Sequence, residues 1–382
     1  MTSDRCPARF NLIRVLASRP LWAVLIWMAL LLGEATTSAG AGTSDHSERA
    51  EQLAADGGRL FAQSQESGQS VSPRLRALIT LAEAGNPIAQ NALGEKFENG
   101  DGVARDPALA ARWYRLAAEQ GHAEAALNLG ELYENGEGVA RDDGEAAEWY
   151  RRAAAGGEVL AQLSLGLMYR EGRGVARDDG EAARWLRAVA DKGFAIGQIN
   201  LAFMYLDGLG VDQDDQRAAA LLMTAAEQGH PVAQNNLALL YAAGRGVPRD
   251  PKLALAWHEK AASQGLANAQ YQLGLLYEQG EGVDAPDAAQ AARWYRLAAY
   301  QGEPAAQARL GQMYRDGRGV APDDVLAFAW LGLAIEGATD RATREEAARA
   351  QDALKERMGA SEIAAGQAKI AKLRSGNAAP EP

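Results

Sequence analysis

The tetrad Gly-x-Gly-Val recurs at Gly100, Gly136, Gly172, Gly208, Gly244, Gly280 and Gly317, in five steps of 36 residues and one of 37. Periods of this size belong to chains that stack one supersecondary unit many times, because a single unit cannot bury its apolar face alone. The period therefore decides the architecture before composition is consulted. Composition then sets the type of unit: a hydrophobic fraction of 47% rich in Ala and Leu, with only 13 prolines, makes it helical.

Each period holds two helical patterns. The first, AEAALNLGELYENG, places Ala125, Leu129, Leu132 and Tyr133 at i, i+4, i+7 and i+8, one apolar stripe at helical spacing. We call it helix A. The second, DPALAARWYRLAAEQG, opens with Asp106 as N-cap and Pro107 at the first helical position, where its missing N–H costs nothing. This is helix B, with Ala110, Trp113, Tyr114, Ala117 and Ala118 on its buried side. Asp142 with Glu145, and Asp178 with Glu181, have the spacing of a capping box. Asn99-Gly100 and Asn135-Gly136 fall where helix A must stop, with glycine in the left-handed C′ conformation and the second glycine and valine turning the chain toward helix B. The tetrad reads as punctuation. A phosphate loop would need a following Gly-Lys-Ser/Thr and a calcium loop alternating carboxylates ending in Glu, and neither is present.

Alanine pairs such as Ala117-Ala118, Ala153-Ala154 and Ala298-Ala299, and the glycines of helix A (Gly94, Gly130, Gly166, Gly274, Gly311), allow close helix contact. Trp113, Trp149, Trp185, Trp257, Trp294 and Trp330 fill the remaining core. The pattern A-x-x-L-G-x-x-Y-x-x-G-x-G-V-x-x-D-x-x-x-A-x-x-W-Y-x-x-A-A-x-x-G, running from about Ser72 to Gly337, resembles the Sel1-like repeat, a longer cousin of the tetratricopeptide repeat. Local departures are Phe97 for tyrosine in the first unit, Leu221-Leu222 for the aromatic pair in the fourth and His258 for tyrosine in the fifth. The resemblance implies an all-α fold, a right-handed superhelical solenoid of seven helix-turn-helix repeats with atypical helical caps. It also implies an adaptor or regulator of envelope processes such as exopolysaccharide production, signalling or cell-envelope maintenance.

The chain divides accordingly. Arg5, Arg9, Arg14 and Arg19 precede the apolar run Leu21 to Leu32 and the small residues after it, the three regions of a secretory signal. The uncharged stretch 20–33 is shorter than the roughly 20 residues that span a bilayer, so residues 1–41 are expected to be removed, with an uncleaved anchor in the inner membrane facing the periplasm as the alternative. Residues 42–71 then form an N-terminal cap containing a polar helix over 47–65, residues 72–337 the solenoid, residues 338–374 two capping helices (Ala342 to Met358 and Ser361 to Lys372), and residues 375–382 a disordered tail. Loss of residues 1–41 removes four arginines and two acids, taking the net charge from −11 to −13. Such a charge argues against nucleic acid or an anionic membrane surface as partner, leaving membrane contact to an uncleaved N-terminus.

Catalytic signatures are absent: no Gly-x-Ser-x-Gly, Ser-x-x-Lys, His-Glu-x-x-His, Cys-x-x-Cys or dinucleotide fingerprint, and a single cysteine, Cys6. His46, His122, His230 and His258 are too scattered across the repeats to make a metal site. The acid pairs Asp142-Asp143, Asp178-Asp179, Asp214-Asp215 and Asp323-Asp324 stand at helix B starts, where capping and the helix dipole account for them. No cofactor or metal is expected, and the expected function is a non-enzymatic scaffold that binds another protein in the periplasm. The alternative is an envelope hydrolase or β-lactam-binding protein on the same fold, against which the lack of paired cysteines counts.

A helical projection at 100° per residue locates a candidate face. With Ala161 at the origin, Leu163 and Leu167 project opposite the core stripe, and the same positions hold Ile199 and Phe203, Asn235 and Leu239, and Tyr271 and Leu275 in the next three units. Glu95 and Glu131 flank this strip on one side and Gln312 on the other. A polar-rimmed apolar strip suits a peptide or helix in a groove, or packing between neighbouring A helices.

Overall fold

A computed structural model describes residues 72–375. The signal, the 42–71 cap with its helix and His46, and the tail 376–382 lie outside the described residues. The described chain is helical, with no strand among its residues. It begins with α1 (Pro73–Glu83), a lone helix B-like element. Seven A–B pairs follow: α2 (Pro87–Asn99) with α3 (Pro107–Glu119), α4 (Ala123–Asn135) with α5 (Asp143–Ala155), α6 (Val159–Glu171) with α7 (Asp179–Asp191), α8 (Ala195–Asp207) with α9 (Asp215–Glu227), α10 (Pro231–Ala243) with α11 (Pro251–Ser263), α12 (Ala267–Gln279) with α13 (Ala288–Tyr300), and α14 (Pro304–Asp316) with α15 (Asp324–Gly337). Two more helices close the described chain, α16 (Arg341–Lys355) and α17 (Ala360–Arg374), one to three residues off the expected ends.

Contacts divide the described residues into two units, 72–197 with 207–213, and 198–206 with 214–375. In the first unit each helix A packs on its own helix B (α2 on α3, α4 on α5, α6 on α7), and each B packs on the next A (α3 on α4, α5 on α6). Its core runs through Phe97, Trp113, Tyr114, Leu129, Tyr150 and Leu165. The second unit repeats the scheme from α9 to α15, and its last pair is covered by α16 and α17. The sequence of α15 is apolar on all sides, so it needs that cover; a Cβ added at Gly332 or Gly366 would lie 2.5 Å from Ile370 or Phe328 respectively, so glycine sets the closeness of the cap.

Caps follow the sequence reading with one correction. Asp106, Asp142, Asp178, Asp214, Asp250, Asp287 and Asp323 each accept a backbone N–H of the first helical turn. The reciprocal half of the capping box does not form. The Asp142 and Asp178 N–H groups instead donate to the carbonyls of Tyr133 and Tyr169, tying helix B back to its own helix A, which frees Glu145 to accept from the Trp149 indole at 3.2 Å and Glu181 to pair with Arg184 at 2.6 Å.

The two glycines of the tetrad separate into two jobs. The first caps helix A in the left-handed region, as at Gly172 with φ +68°. The second joins repeats: at Gly174, Gly210 and Gly246, a Cβ would fall about 2 Å from a backbone oxygen at the start of the preceding helix B, namely 1.9, 1.9 and 2.0 Å from Asp143, Asp179 and Asp215. Gly102, which has no full repeat before it, meets only Leu75 at 4.0 Å.

Candidate interaction face

Helix A presents three kinds of side chain, and their positions decide what it can bind. One row faces its own helix B. There Gly94, Gly130 and Gly274 receive the rings of Tyr114, Tyr150 and Tyr295, since a Cβ would lie 2.5 to 2.7 Å from the ring atoms. Each of these tyrosines donates its hydroxyl to a glutamate at the end of helix A: Glu98 at 2.5 Å, Glu134 at 2.5 Å and Glu278 at 2.7 Å.

A second row is a glutamine clamp that pattern reading missed. Gln90, Gln162, Gln234, Gln270 and Gln307 are buried, and each donates to the carbonyl eight residues earlier, at the end of the preceding helix B, at 3.1 or 3.2 Å. Several also accept from a glutamine at the next turn, as when Gln264 donates to Gln234 at 2.8 Å and Gln301 to Gln270 at 2.7 Å. Three helices are thereby joined through one buried amide. The available signal was a polar residue recurring at the 36-residue period on a face expected to be apolar.

The third row contains the eight residues of the candidate strip. Leu163 and Leu167 are 5% and 6% exposed in the first unit. In the second, Ile199 and Asn235 are fully buried, Phe203 and Leu239 are 5% and 6% exposed, and only Tyr271 and Leu275 are half-buried. Six of the eight are thus packing side chains of the chain itself, and accessible surface remains at Tyr271 and Leu275. Asn235 is unusual among them: neither atom of its carboxamide has a hydrogen-bond partner.

Polar groups around the row differ between the units. In the first, Asn91 donates to Glu95 at 2.9 Å and to Glu124 at 3.3 Å, while Asn128 donates to Asn91 at 3.1 Å. Burial first, then the charge of Glu124, raises the Glu95 carboxyl above the usual range. In the second unit Tyr271 packs against Tyr295 with ring centroids 5.8 Å apart, and Arg309 hydrogen-bonds Tyr271 and faces Glu278 and Glu346. Gln312 donates to Glu346 at 2.9 Å. An arginine thus balances the acids there.

Of the described histidines, His122 and His258 serve the fold. His122 caps α4, accepting the Ala125 N–H at 3.2 Å, and burial lowers both His122 and His230. His258 sits in the core at the tyrosine position. Among the described residues no group of three or more His, Cys, Asp or Glu side chains is arranged to hold a metal ion. Two open clefts of about 670 and 590 Å³ take the same place in each unit, between a helix B and the next A–B loop, one lined by Arg115, Tyr133 and Trp149 and the other by Arg296 and Tyr314. In each, the arginine donates to the tyrosine hydroxyl.

The Sel1 repeat model matches seven consecutive segments, 87–122, 123–158, 159–194, 195–230, 231–266, 267–303 and 304–338, each one A–B pair. The chain belongs to the Sel1 repeat family. A Sel1 repeat protein from Oxalobacter formigenes is 31% identical, with a TM-score of 0.63, over 87% of this chain and 99% of that one. A protective antigen of uropathogenic Escherichia coli with this fold, c5321, is 28% identical over 86% of this chain and 94% of its own, with a TM-score of 0.31. The immunity protein Pa5087 of Pseudomonas aeruginosa is 24% identical over 56% and 81%, with a TM-score of 0.36. No curated protein matches the chain. Sel1 repeat proteins are generally non-catalytic scaffolds that commonly mediate protein–protein interaction.

Proposed function

We propose that this Sel1 repeat protein is a non-catalytic scaffold, exported to the periplasm, that docks a segment of another protein against the helix A face and so assembles or regulates an envelope process. The observation that carries the reading is the half-buried pair Tyr271 and Leu275 in the second unit, one helical turn apart on a face otherwise closed by its own packing. An aromatic and an aliphatic side chain beside polar Gln312 supply an apolar anchor with a hydrogen-bonding rim, the arrangement that helix and peptide ligands use. Support for export comes from the charged, apolar and small-residue sequence of residues 1–41. No described helix is long and apolar enough to cross a membrane.

The test is affinity capture from solubilised cell envelope with wild type and Leu275→Asp. We expect a partner held by wild type and lost by the variant, whose helical circular dichroism should be unchanged because Leu275 is only half-buried; equal retention by both would remove the face from the proposal. Export is tested by fusing residues 1–41 to a phosphatase that is active only outside the cytoplasm. The fusion is expected to be active, and an inactive fusion rejects the periplasmic assignment.

A further inference from the structure

The face of helix B that meets its own helix A is closed in every repeat and open in α1. The turn after α1 fixes the comparison: the Gly85 and Asn86 N–H groups donate to the carbonyls of Ala82 and Leu81, as those of Gly121 and His122 donate to Ala118 and Ala117, and both glycines are left-handed, at φ +89° and +87°. Leu81 therefore stands where the repeats carry a small apolar residue that is 0% exposed, as at Ala117, Val189 and Ala298, and Leu78 stands where Tyr114 does. Leu81 is instead 53% exposed. Ile88, in the first turn of α2, is 60% exposed. Its equivalent Glu124 is a point at which α4 meets the helix A before it, by accepting from Asn91 at 3.3 Å. These are the two most exposed large apolar side chains among the described residues, and both positions serve a helix A ahead of α1, a place no described element fills.

Residues 42–71 run directly into α1 and carry the pattern of such a helix. Gly68-Gln69-Ser70-Val71 repeats the Gly-x-Gly-Val tetrad with serine for its second glycine, and Ser72-Pro73 repeats the Asp106-Pro107 cap, the loop between them being two residues shorter. Counting back from Gly68 as from Gly100 puts Phe61 at the buried leucine of every repeat, Leu93 in the first, and Ala62 at the small residue, Gly94, that receives the Tyr114 ring from its own helix B. Ala62 suits Leu78 as Ala202 suits Leu222 in the fourth repeat, where both are fully buried. What the segment lacks are the residues that serve a preceding helix B. Gly58 replaces the clamp glutamine, Gln65 replaces the aromatic that reaches back as Tyr133 does to Arg115, and Ser70 replaces the glycine whose Cβ would strike the preceding backbone. A terminal unit has no helix B before it, so these three losses cost it nothing.

We propose that residues 55–67 dock on the open face of α1 as the helix A of an eighth, N-terminal repeat, with Phe61 and Ala62 covering Leu78 and Leu81. The docked segment ends the apolar core with a unit that offers polar Gln65 where the others offer an aromatic, which is what the end of a solenoid requires. The assignment makes no use of the scaffold reading above.

The experiment is native-state amide hydrogen exchange of the full chain, followed at residues 73–83. Phe61→Asp is expected to raise the opening of α1 about tenfold or more, with helical circular dichroism unchanged because Phe61 lies outside the seven repeats. Leu81→Asp is expected to act alike, and the double variant to open no further than either single one, the mark of two side chains in one contact. Gln63→Asp, at the position of Glu95 and Glu131 in the first two repeats, should leave exchange as in wild type. Unchanged α1 exchange in Phe61→Asp would overturn the proposal, and an equal effect of Gln63→Asp would count against the assigned face. A dimer in sedimentation velocity that Leu81→Asp dissociates and Phe61→Asp leaves intact would overturn it too, since a second copy then covers α1. None of these readouts involves a partner protein, so a failed capture experiment bears on the scaffold reading alone.

Discussion

Gly174→Ala is expected to destabilise the protein by at least about 4 kcal/mol, whereas Gly157→Ala should cost about 1 kcal/mol. Both positions have positive φ, +68° and +98°, so both substitutions carry the penalty of a left-handed L-residue, roughly 1–2 kcal/mol. The difference lies in space. A Cβ at Gly157 meets nothing within 4 Å, but at Gly174 it would stand 1.9 Å from the carbonyl oxygen of Asp143, the first residue of α5. No rotamer relieves a clash between two backbones, so the loop must lift from the preceding repeat. That motion also pulls on Arg173, the next residue back, which pairs with Glu134. Urea denaturation of both variants checks the expectation; a Gly174→Ala midpoint equal to that of Gly157→Ala would show that the second glycine is only a turn residue. The effect should recur at Gly210 and Gly246, where the distances are 1.9 and 2.0 Å, and be weakest at Gly102.

That asymmetry between the two glycines also marks what a one-dimensional reading could reach. The first glycine's role is local, a helix C-cap, and local chemistry is visible in Asn135-Gly136. The second glycine's role depends on a backbone about thirty residues away, which only the stacking of repeats supplies. The same division runs through the face. Projection around a helix sorts residues correctly when one side meets protein and the other meets water, and Leu129 and Leu132 were placed that way. Helix A has protein on more than one side, its own helix B and the neighbouring repeats, so Leu163, Leu167, Ile199 and Phe203 project away from one contact into another. Asp142 and Glu145 failed as a capping box for a related reason: the cap's N–H had a better-placed acceptor in Tyr133 of the previous helix. The glutamine clamp was legible in principle, because Gln90, Gln162, Gln198, Gln234, Gln270 and Gln307 keep the period in six of the seven repeats, with Ala126 in the other.

Substituting His258 with leucine is expected to raise stability in acid by about 3 kcal/mol at pH 4 while changing little at pH 7. His258 is 1% exposed, its Nδ1 has no hydrogen-bond partner, and burial pushes the imidazole down to about 3 from 6.5. The folded state therefore keeps it neutral while the unfolded chain takes up a proton below pH 6.5; its contribution is intact above that value and falls away between pH 6.5 and about 3. The choice of replacement follows from the other repeats. Where the core position is tyrosine, at 114, 150 and 295, helix A supplies glycine to receive the ring (Gly94, Gly130, Gly274) and glutamate to accept the hydroxyl (Glu98, Glu134, Glu278). Where it is Leu222, helix A has Ala202 and Leu206. The repeat of His258 carries Ala238 and Ala242, as the repeat of Leu222 carries an alanine at the first position, while the leucines Leu186 and Leu331 pack on the glycines Gly166 and Gly311. Tyrosine at 258 would press its ring on the Ala238 methyl and bury a hydroxyl with no acceptor, so His258→Tyr should destabilise at every pH although it matches the repeat consensus. Thermal melts of wild type and both variants at pH 4 and pH 7 separate the outcomes. If His258→Leu loses as much stability in acid as wild type, another buried group carries the acid sensitivity; if His258→Tyr stabilises, the glycine–tyrosine–glutamate pairing is not a packing rule of these repeats.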